Sequence, residues 1–183
     1  DEDIIILYIG NLNATRFPDN IVFQMMSNLI SASSRAVLLI YAPISTENAR
    51  RAFYISRQAK TFNVEKHVKI QMRNLSDTEK NLVYNAADIY LFPSTGSGEV
   101  VEPPLTVLEA MSAGLPTICN EIPSLKEIII DGKNGFLLST ETGFASCCER
   151  INLLLSSTQV AHRIGLDSRK TILSKASIEV TGA

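Results

Sequence analysis

The run Ile89-Tyr90-Leu91-Phe92-Pro93, followed after a polar loop by Pro103-Pro104-Leu105-Thr106-Val107-Leu108-Glu109-Ala110-Met111-Ser112-Ala113-Gly114-Leu115-Pro116-Thr117-Ile118-Cys119, passes from strand to helix and back to strand. A short apolar β-favouring run stops at Pro93, which cannot donate to a ladder. The loop Ser94–Glu102 carries Gly96 and Gly98. Pro103-Pro104 opens a helix through Ala113, and Gly114 closes it. Pro116–Cys119 is the next strand. Neither strand alternates apolar with polar residues, which is the pattern of strands covered on both faces. Two such strands joined through a helix form a parallel pair with the helix packed on the sheet.

The same alternation extends in both directions. Ile4–Ile9 reads as a buried strand ended by Gly10. Pro18 stands at a first helical position, ahead of Ile21, Val22, Met25, Met26, Leu29 and Ile30 at helical spacing. Val37–Tyr41 is a second strand. Ser45 caps a helix through about Phe62, with Arg50, Arg51, Arg57 and Lys60 as its wet face. Val68–Met72 is a third strand, and Ser76-Asp77-Thr78-Glu79 is a capping box opening a helix to about Ala87. Past Cys119, Pro123–Ile130 reads as a short helix. Asp131-Gly132-Lys133-Asn134-Gly135 is turn chemistry before the strand Phe136–Leu138. From Phe144 the chain reads as helix, broken near Ser156–Thr158 and resuming through Lys175. The expected architecture is α/β: a Rossmann-like, doubly wound parallel sheet of about six strands with helices on both faces. No linker interrupts it, so residues 1–183 are read as a single domain.

Composition narrows the function classes. The chain has 183 residues, 45% hydrophobic and 20% charged, which is globular rather than disordered. With Lys+Arg 17 against Asp+Glu 19, the net charge of −2 provides no drive toward nucleic acid. Ile4–Ile9 is too short to cross a bilayer, and Asp1-Glu2-Asp3 is the reverse of the basic start of a signal peptide. Cys119 stands alone and Cys147 and Cys148 are adjacent, while His67 and His162 lie far apart. That pattern suits buried thiols in a reducing, cytoplasmic compartment rather than a zinc site. Asp1 and Asp3 have the Asp-x-Asp spacing of some diphosphate-bound cation sites. They precede the first strand, on the side of the sheet away from ligands, and are read as a solvated terminus. No metal or other cofactor is expected.

In a doubly wound sheet the informative residues follow the strands. Gly10-Asn11-Leu12-Asn13-Ala14-Thr15-Arg16 is not the Gly-x-Gly-x-x-Gly of dinucleotide enzymes. Gly96-Ser97-Gly98 is followed by Glu99, not by the Lys of a phosphate-binding Walker loop. Gly10 lets a ligand approach the backbone. Arg16 is then either a bidentate phosphate fork or a solvated loop cation. The prolines before Leu105 and Thr106 leave those two amides pointing out of a helix start, a ready anion site. Glu102 and Glu109 lie seven positions apart, which returns to nearly the same helix face about 10.5 Å away. Carboxylates accept hydrogen bonds and sugar hydroxyls donate them, so the pair suits a ligand with a diphosphate in its middle and hydroxyls at both ends.

From Ala87 to Leu138, the segments Ala87–Ser94, Val101–Ile118 and Lys126–Leu138 resemble the donor-binding half of retaining GT-B glycosyltransferases, the glycogen-synthase-like and mannosyltransferase-like group. The first strand ending in glycine, the cation Arg16 six residues later and the tail Arg163-Ile164-Gly165 onward to Ser174-Lys175 are similar as well. The resemblance implies a nucleotide-diphosphate sugar as partner, transfer of a hexose without a metal, and an amino-terminal acceptor-binding domain missing from this chain. Any membrane contact would lie in that missing half. Arg16 and Glu102 are the implied catalytic residues. Gly10, Asn11, Arg16, Met72, Arg73, Glu99, Glu102, Leu105, Thr106 and Glu109 are the implied donor-binding set. Here Glu102 and Glu109 have six residues between them where the family has seven, with Val101 at the seventh, so Glu102 or Glu99 takes the hexose contact. Asn11 stands where the family often has arginine. The rivals are a sugar-nucleotide epimerase of the same fold and a non-catalytic nucleotide-binding Rossmann-like domain.

Overall fold

The computed structural model describes residues 3–32, 35–95, 103–139 and 143–176. The apolar runs become strands β1 (Ile4–Ile9), β2 (Ala36–Ala42), β3 (Val68–Met72), β4 (Ile89–Phe92), β5 (Thr117–Asn120) and β6 (Phe136–Leu138). Between and after them stand α1 (Asp19–Ala32), α2 (Thr46–Thr61), α3 (Asp77–Ala86), α4 (Leu105–Ser112), α5 (Pro123–Lys126), α6 (Gly143–Ser156) and α7 (Thr158–Ala176). The strands form one sheet in the order β3-β2-β1-β4-β5-β6. Every pairing is parallel, with Tyr8 opposite Ile40 and Leu7 opposite Tyr90. The chain winds outward from β1 to β3, then restarts beside β1 at β4 and winds outward to β6. This is the doubly wound, Rossmann-like order, and it opens a crevice past the carboxyl ends of β1 and β4.

Strand side chains alternate between two cores. Ile6, Tyr8, Leu38, Ile40, Ile89, Leu91 and Ile118 face α1, α2 and α6, against Phe23, Met26, Ile55 and Ile151. Leu7, Ile9, Tyr90, Phe92 and Cys119 face the other way, against Tyr84, Val107, Met111, Leu125 and Ile172 of α3, α4, α5 and α7. The expectation of strands covered on both faces fails at β3. There Val68, Ile70 and Met72 pack against the core while Lys69 and Gln71 are exposed, as suits an edge strand.

The caps explain the element boundaries. Ser45 accepts from the Asn48 N–H at the start of α2, and Ser76 and Glu79 form a reciprocal capping box at α3. Three boundaries differ from the sequence reading. Pro18 lies just outside α1, its carbonyl accepting from Ile21 and Val22. The helix after β5 is only the turn Pro123–Lys126, because Asn134 takes the Ile130 N–H and gives a hydrogen bond to the Ile128 carbonyl. Arg51 is not on the wet face of α2 but half-buried, bonded to Asp19 at 2.7 Å.

α4 ends in a Schellman turn, in which Gly114 N–H bonds to the Met111 carbonyl and Leu115 N–H to the Ala110 carbonyl. Gly114 takes φ +78° there, the left-handed region that only glycine enters cheaply. α7 crosses α4 at this turn with Gly165 against Gly114. Cys119 and Cys147 are buried free thiols, and burial pushes Cys147 up to about 12, so neither is a reactive thiolate. No described helix is long and apolar enough to cross a membrane.

Candidate functional site

The loop leaving β1 is built from the inside. Gly10 N–H bonds to the Tyr41 carbonyl at 3.0 Å. A Cβ on Gly10 would stand 2.8 Å from the Tyr8 hydroxyl oxygen, so glycine is required by contact rather than by φ. That hydroxyl donates to the Asn11 carbonyl at 2.6 Å. Burial holds the Tyr8 phenol well above its ordinary pKa, outweighing the opposite pull of Arg16, so it remains a donor. The next peptide is clasped by α2: Leu12 N–H donates to Asn48 Oδ1 at 2.9 Å, and the Leu12 carbonyl accepts from Arg51 Nε at 2.8 Å. Asn13 Oδ1 then accepts the Arg16 N–H at 2.8 Å, and Phe17 sinks its ring into the core. Thr95, just past β4, gives its N–H to the Thr15 carbonyl at 2.8 Å, which ties the loops of β1 and β4 together.

Two further walls complete the crevice. After β3, Arg73 N–H bonds to the Ala42 carbonyl at 2.9 Å, and its guanidinium pairs with Glu79. On the other side α4 begins. Pro104 is its N-cap rather than its first residue, and its carbonyl accepts from Val107 and Leu108. Leu105 and Thr106 are therefore the first two helical positions, whose N–H groups lie outside the helix's own ladder.

A groove of about 350 Å³ brings Gly10, Asn11, Arg16, Arg73, Lys80 and Thr106 together over Ile9, Tyr41 and Leu75. The expected roles of Met72 and Leu105 are main-chain ones, and their side chains lie outside this groove. Met72 ends β3 with its side chain turned to the helix-covered core by the strand's alternation, and Leu105 is 66% exposed outside the groove. Glu99 and Glu102 lie outside the described residues.

Glu109 lines an adjoining pocket of about 520 Å³ between α3, α4 and α7. Lys80 lines both cavities. Its Nζ reaches Glu109 Oε1 at 2.8 Å, and the Tyr84 hydroxyl donates to Oε2 at 2.8 Å. Tyr84 is 3% exposed and its ring stacks edge-on against Tyr90 at 5.9 Å. Burial first, then Tyr90 and Glu109, hold its phenol far above the ordinary range, so it is a donor at any working pH. Each Glu109 oxygen takes one donor from the protein and retains a lone pair for another. Lys80, Tyr84 and Asn48 were not anticipated from sequence. Lys80 and Tyr84 share a face of α3 by their i, i+4 spacing, but no local pattern says that this face meets Glu109.

Fold and crevice together define a Rossmann-like α/β domain of the kind found in GT-B glycosyltransferases. The chain belongs to the family of glycosyl transferases group 1, whose model matches residues 1–171. It is similar to spore coat protein SA of Bacillus subtilis (strain 168), 28% identical over 91% of this chain and 43% of that protein. It is also similar to the capsular polysaccharide biosynthesis glycosyltransferase CapM of Staphylococcus aureus, 21% identical over 98% of this chain and 44% of that protein. The chain thus spans less than half the length of these relatives. Among solved structures, the C-terminal domain of a glycosyl transferase group 1 family protein from Francisella tularensis matches with TM-score 0.78 and 16% identity, over 96% of this chain and 87% of that one. Anabaena HepE in complex with UDP and glucose matches with TM-score 0.82 and 15% identity, over 98% of this chain and 46% of that one.

Proposed function

We propose that this chain is the donor-binding half of a retaining, metal-independent glycosyltransferase that takes a hexose from a nucleotide-diphosphate sugar, with the acceptor-binding domain contributed by sequence outside it. The observation that carries the reading is the groove at the switch point, where Arg16, Arg73 and Lys80 converge beside the first turn of α4. Arg16 and a helix N-terminus, flanked by the Arg73–Glu79 and Lys80–Glu109 ion pairs, suit a ligand with a diphosphate. The length of the relatives, about twice that of this chain, and the UDP and glucose in the HepE structure support the same reading.

In this scheme Arg16 and the amides of Leu105 and Thr106 contact the diphosphate. Negative charge grows on it as the glycosidic bond breaks, so donors already in place lower the barrier. Glu109, fixed by Lys80 and Tyr84, accepts from the ribose hydroxyls, and Glu102 accepts from the hexose.

Titration of the chain with UDP-, GDP- and ADP-sugars tests this. At least one is expected to bind, with equal affinity in EDTA, and the chain alone should transfer no sugar. Loss of binding on chelation would remove the metal-free part of the scheme, and transfer by the chain alone would remove the missing-domain part.

The two glutamates should separate by ligand. Glu109→Gln is expected to weaken nucleoside diphosphate and full donor alike, by roughly tenfold, because a hydrogen bond to a charged group contributes about 1.5–3 kcal/mol. Glu102→Gln should weaken only the sugar-bearing donor. Identical behaviour of the two variants would refute the division of roles, and a sugar-selective defect in Glu99→Gln would transfer the hexose contact to that residue.

A further inference from the structure

Asn48 is 3% exposed, yet it is one of the few polar side chains in the core and lies beneath the groove rather than in it. Its orientation is forced. Its Oδ1 faces the Leu12 N–H at 2.9 Å, and its Nδ2 faces the Pro43 carbonyl at 2.9 Å, a group that can only accept. The second Nδ2 hydrogen therefore points at Asn11, and the atom it meets, at 3.2 Å, is Oδ1. A flipped Asn11 would set two NH₂ groups against each other. The Asn11 main-chain carbonyl is also taken, by the Tyr8 hydroxyl at 2.6 Å. Both acceptors of Asn11 are thus engaged from inside the protein, while its side chain is exposed along the groove.

We infer that Asn48 is a positioning residue that locks the Asn11 carboxamide with its two N–H groups toward the groove, making Asn11 an oriented neutral donor for a phosphate oxygen. The inference rests on the groove being the diphosphate site. It assigns the β1–α1 loop a recognition role that is distinct from the Arg16 charge. An amide free to rotate would present its oxygen as readily as its nitrogen, and an oxygen facing a phosphate repels it. The buried clasp removes that second state, so the donors are in place before the ligand arrives.

A double-mutant cycle on the full chain, read by titration with UDP, GDP and ADP, tests this. Asn11→Asp keeps the acceptor for Asn48 but replaces the donors by a negative charge, and should weaken diphosphate binding about tenfold or more. Asn11→Ala should cost a smaller factor. Asn48→Asp keeps the acceptor for Leu12 but supplies no donor and adds a charge, so the Asn11 amide turns over and affinity falls by at least the factor seen for Asn11→Ala. The decisive result is non-additivity: in the Asn11→Ala background, Asn48→Asp should cost clearly less than it does with Asn11 in place, leaving only the repulsion of its added charge. Equal losses in both backgrounds would mean that Asn48 only shapes the loop, and would overturn the inference. Should Asn48→Asp fail to fold, Asn11→Asp and Asn11→Ala decide alone, and unchanged affinity in both overturns it. The two readings fail separately. If the unsubstituted chain binds none of the three diphosphates, the groove assignment falls and this inference with it. If Arg16→Ala loses affinity while the Asn11 variants keep it, only this inference falls.

Discussion

Under the donor-binding role proposed above, replacing Arg16 by alanine is expected to lower sugar transfer by the full-length protein by about 10²–10³-fold, the effect typical of removing one preorganised donor from developing charge. Arg16 lies at the switch point of the sheet, in the same groove as Gly10 and Thr106. Its position is set by main-chain groups that alanine retains: its own N–H bonds to Asn13 Oδ1, and its neighbours Thr15 and Phe17 are held by Thr95 and the core. The variant should therefore keep its fold and lose affinity for every diphosphate ligand alike, with a larger loss in kcat than in donor affinity. Arg16→Lys should recover part of both, since it restores the charge but not the planar fork. Parallel measurement of kcat and nucleoside diphosphate affinity checks the claim, and an alanine variant with unchanged kcat would remove Arg16 from the chemistry.

Gly165→Ala is expected to destabilise the fold by about 3 kcal/mol, at the upper end of overpacking costs. A Cβ at this position would lie 2.1 Å from the Gly114 carbonyl oxygen and 3.2 Å from its carbon. No side-chain rotation relieves such a contact, because both partners are backbone. Gly114 cannot yield easily, since it holds the positive-φ corner of the Schellman turn that ends α4. Helices α4 and α7 must then separate, disturbing the helix that carries Thr106 and Glu109. For a chain of this size the melting temperature should drop by roughly 6–12 °C. Gly132→Ala is the control: its φ of +72° is also left-handed, but nothing lies within 4 Å of the added Cβ. It should cost about 1 kcal/mol, the strain term alone. Equal melting shifts for the two variants would show that the α4–α7 crossing tolerates a methyl group.

The α/β class, the parallel sheet and most element boundaries were determined by sequence alone, because each rests on a local rule. Ile4–Ile9 and Ile89–Phe92 are strands by their apolar runs, Ser45 and Ser76 start helices by capping, and Gly114 ends one by its φ. That the β1 loop and the start of α4 line one crevice was legible for a similar reason: a doubly wound sheet opens its crevice where strands end, which places Gly10, Asn11, Arg16 and Thr106 beside it without knowledge of any contact. Tertiary structure decided what those residues touch. That β3 is an edge strand, with Met72 turned into the core and Lys69 to solvent, depends on which strands lie beside it. Arg51 reads as a wet helix cation until α2 packs beside the β1 loop and gives it the Leu12 carbonyl and Asp19. Glu109 reads as an unencumbered acceptor until α3 brings Lys80 and Tyr84 to it, and Asn48 reads as an ordinary helix residue until folding buries it beneath Asn11. Backbone preference is written in neighbouring residues, whereas a hydrogen bond spanning dozens of positions exists only once packing has brought its two ends together.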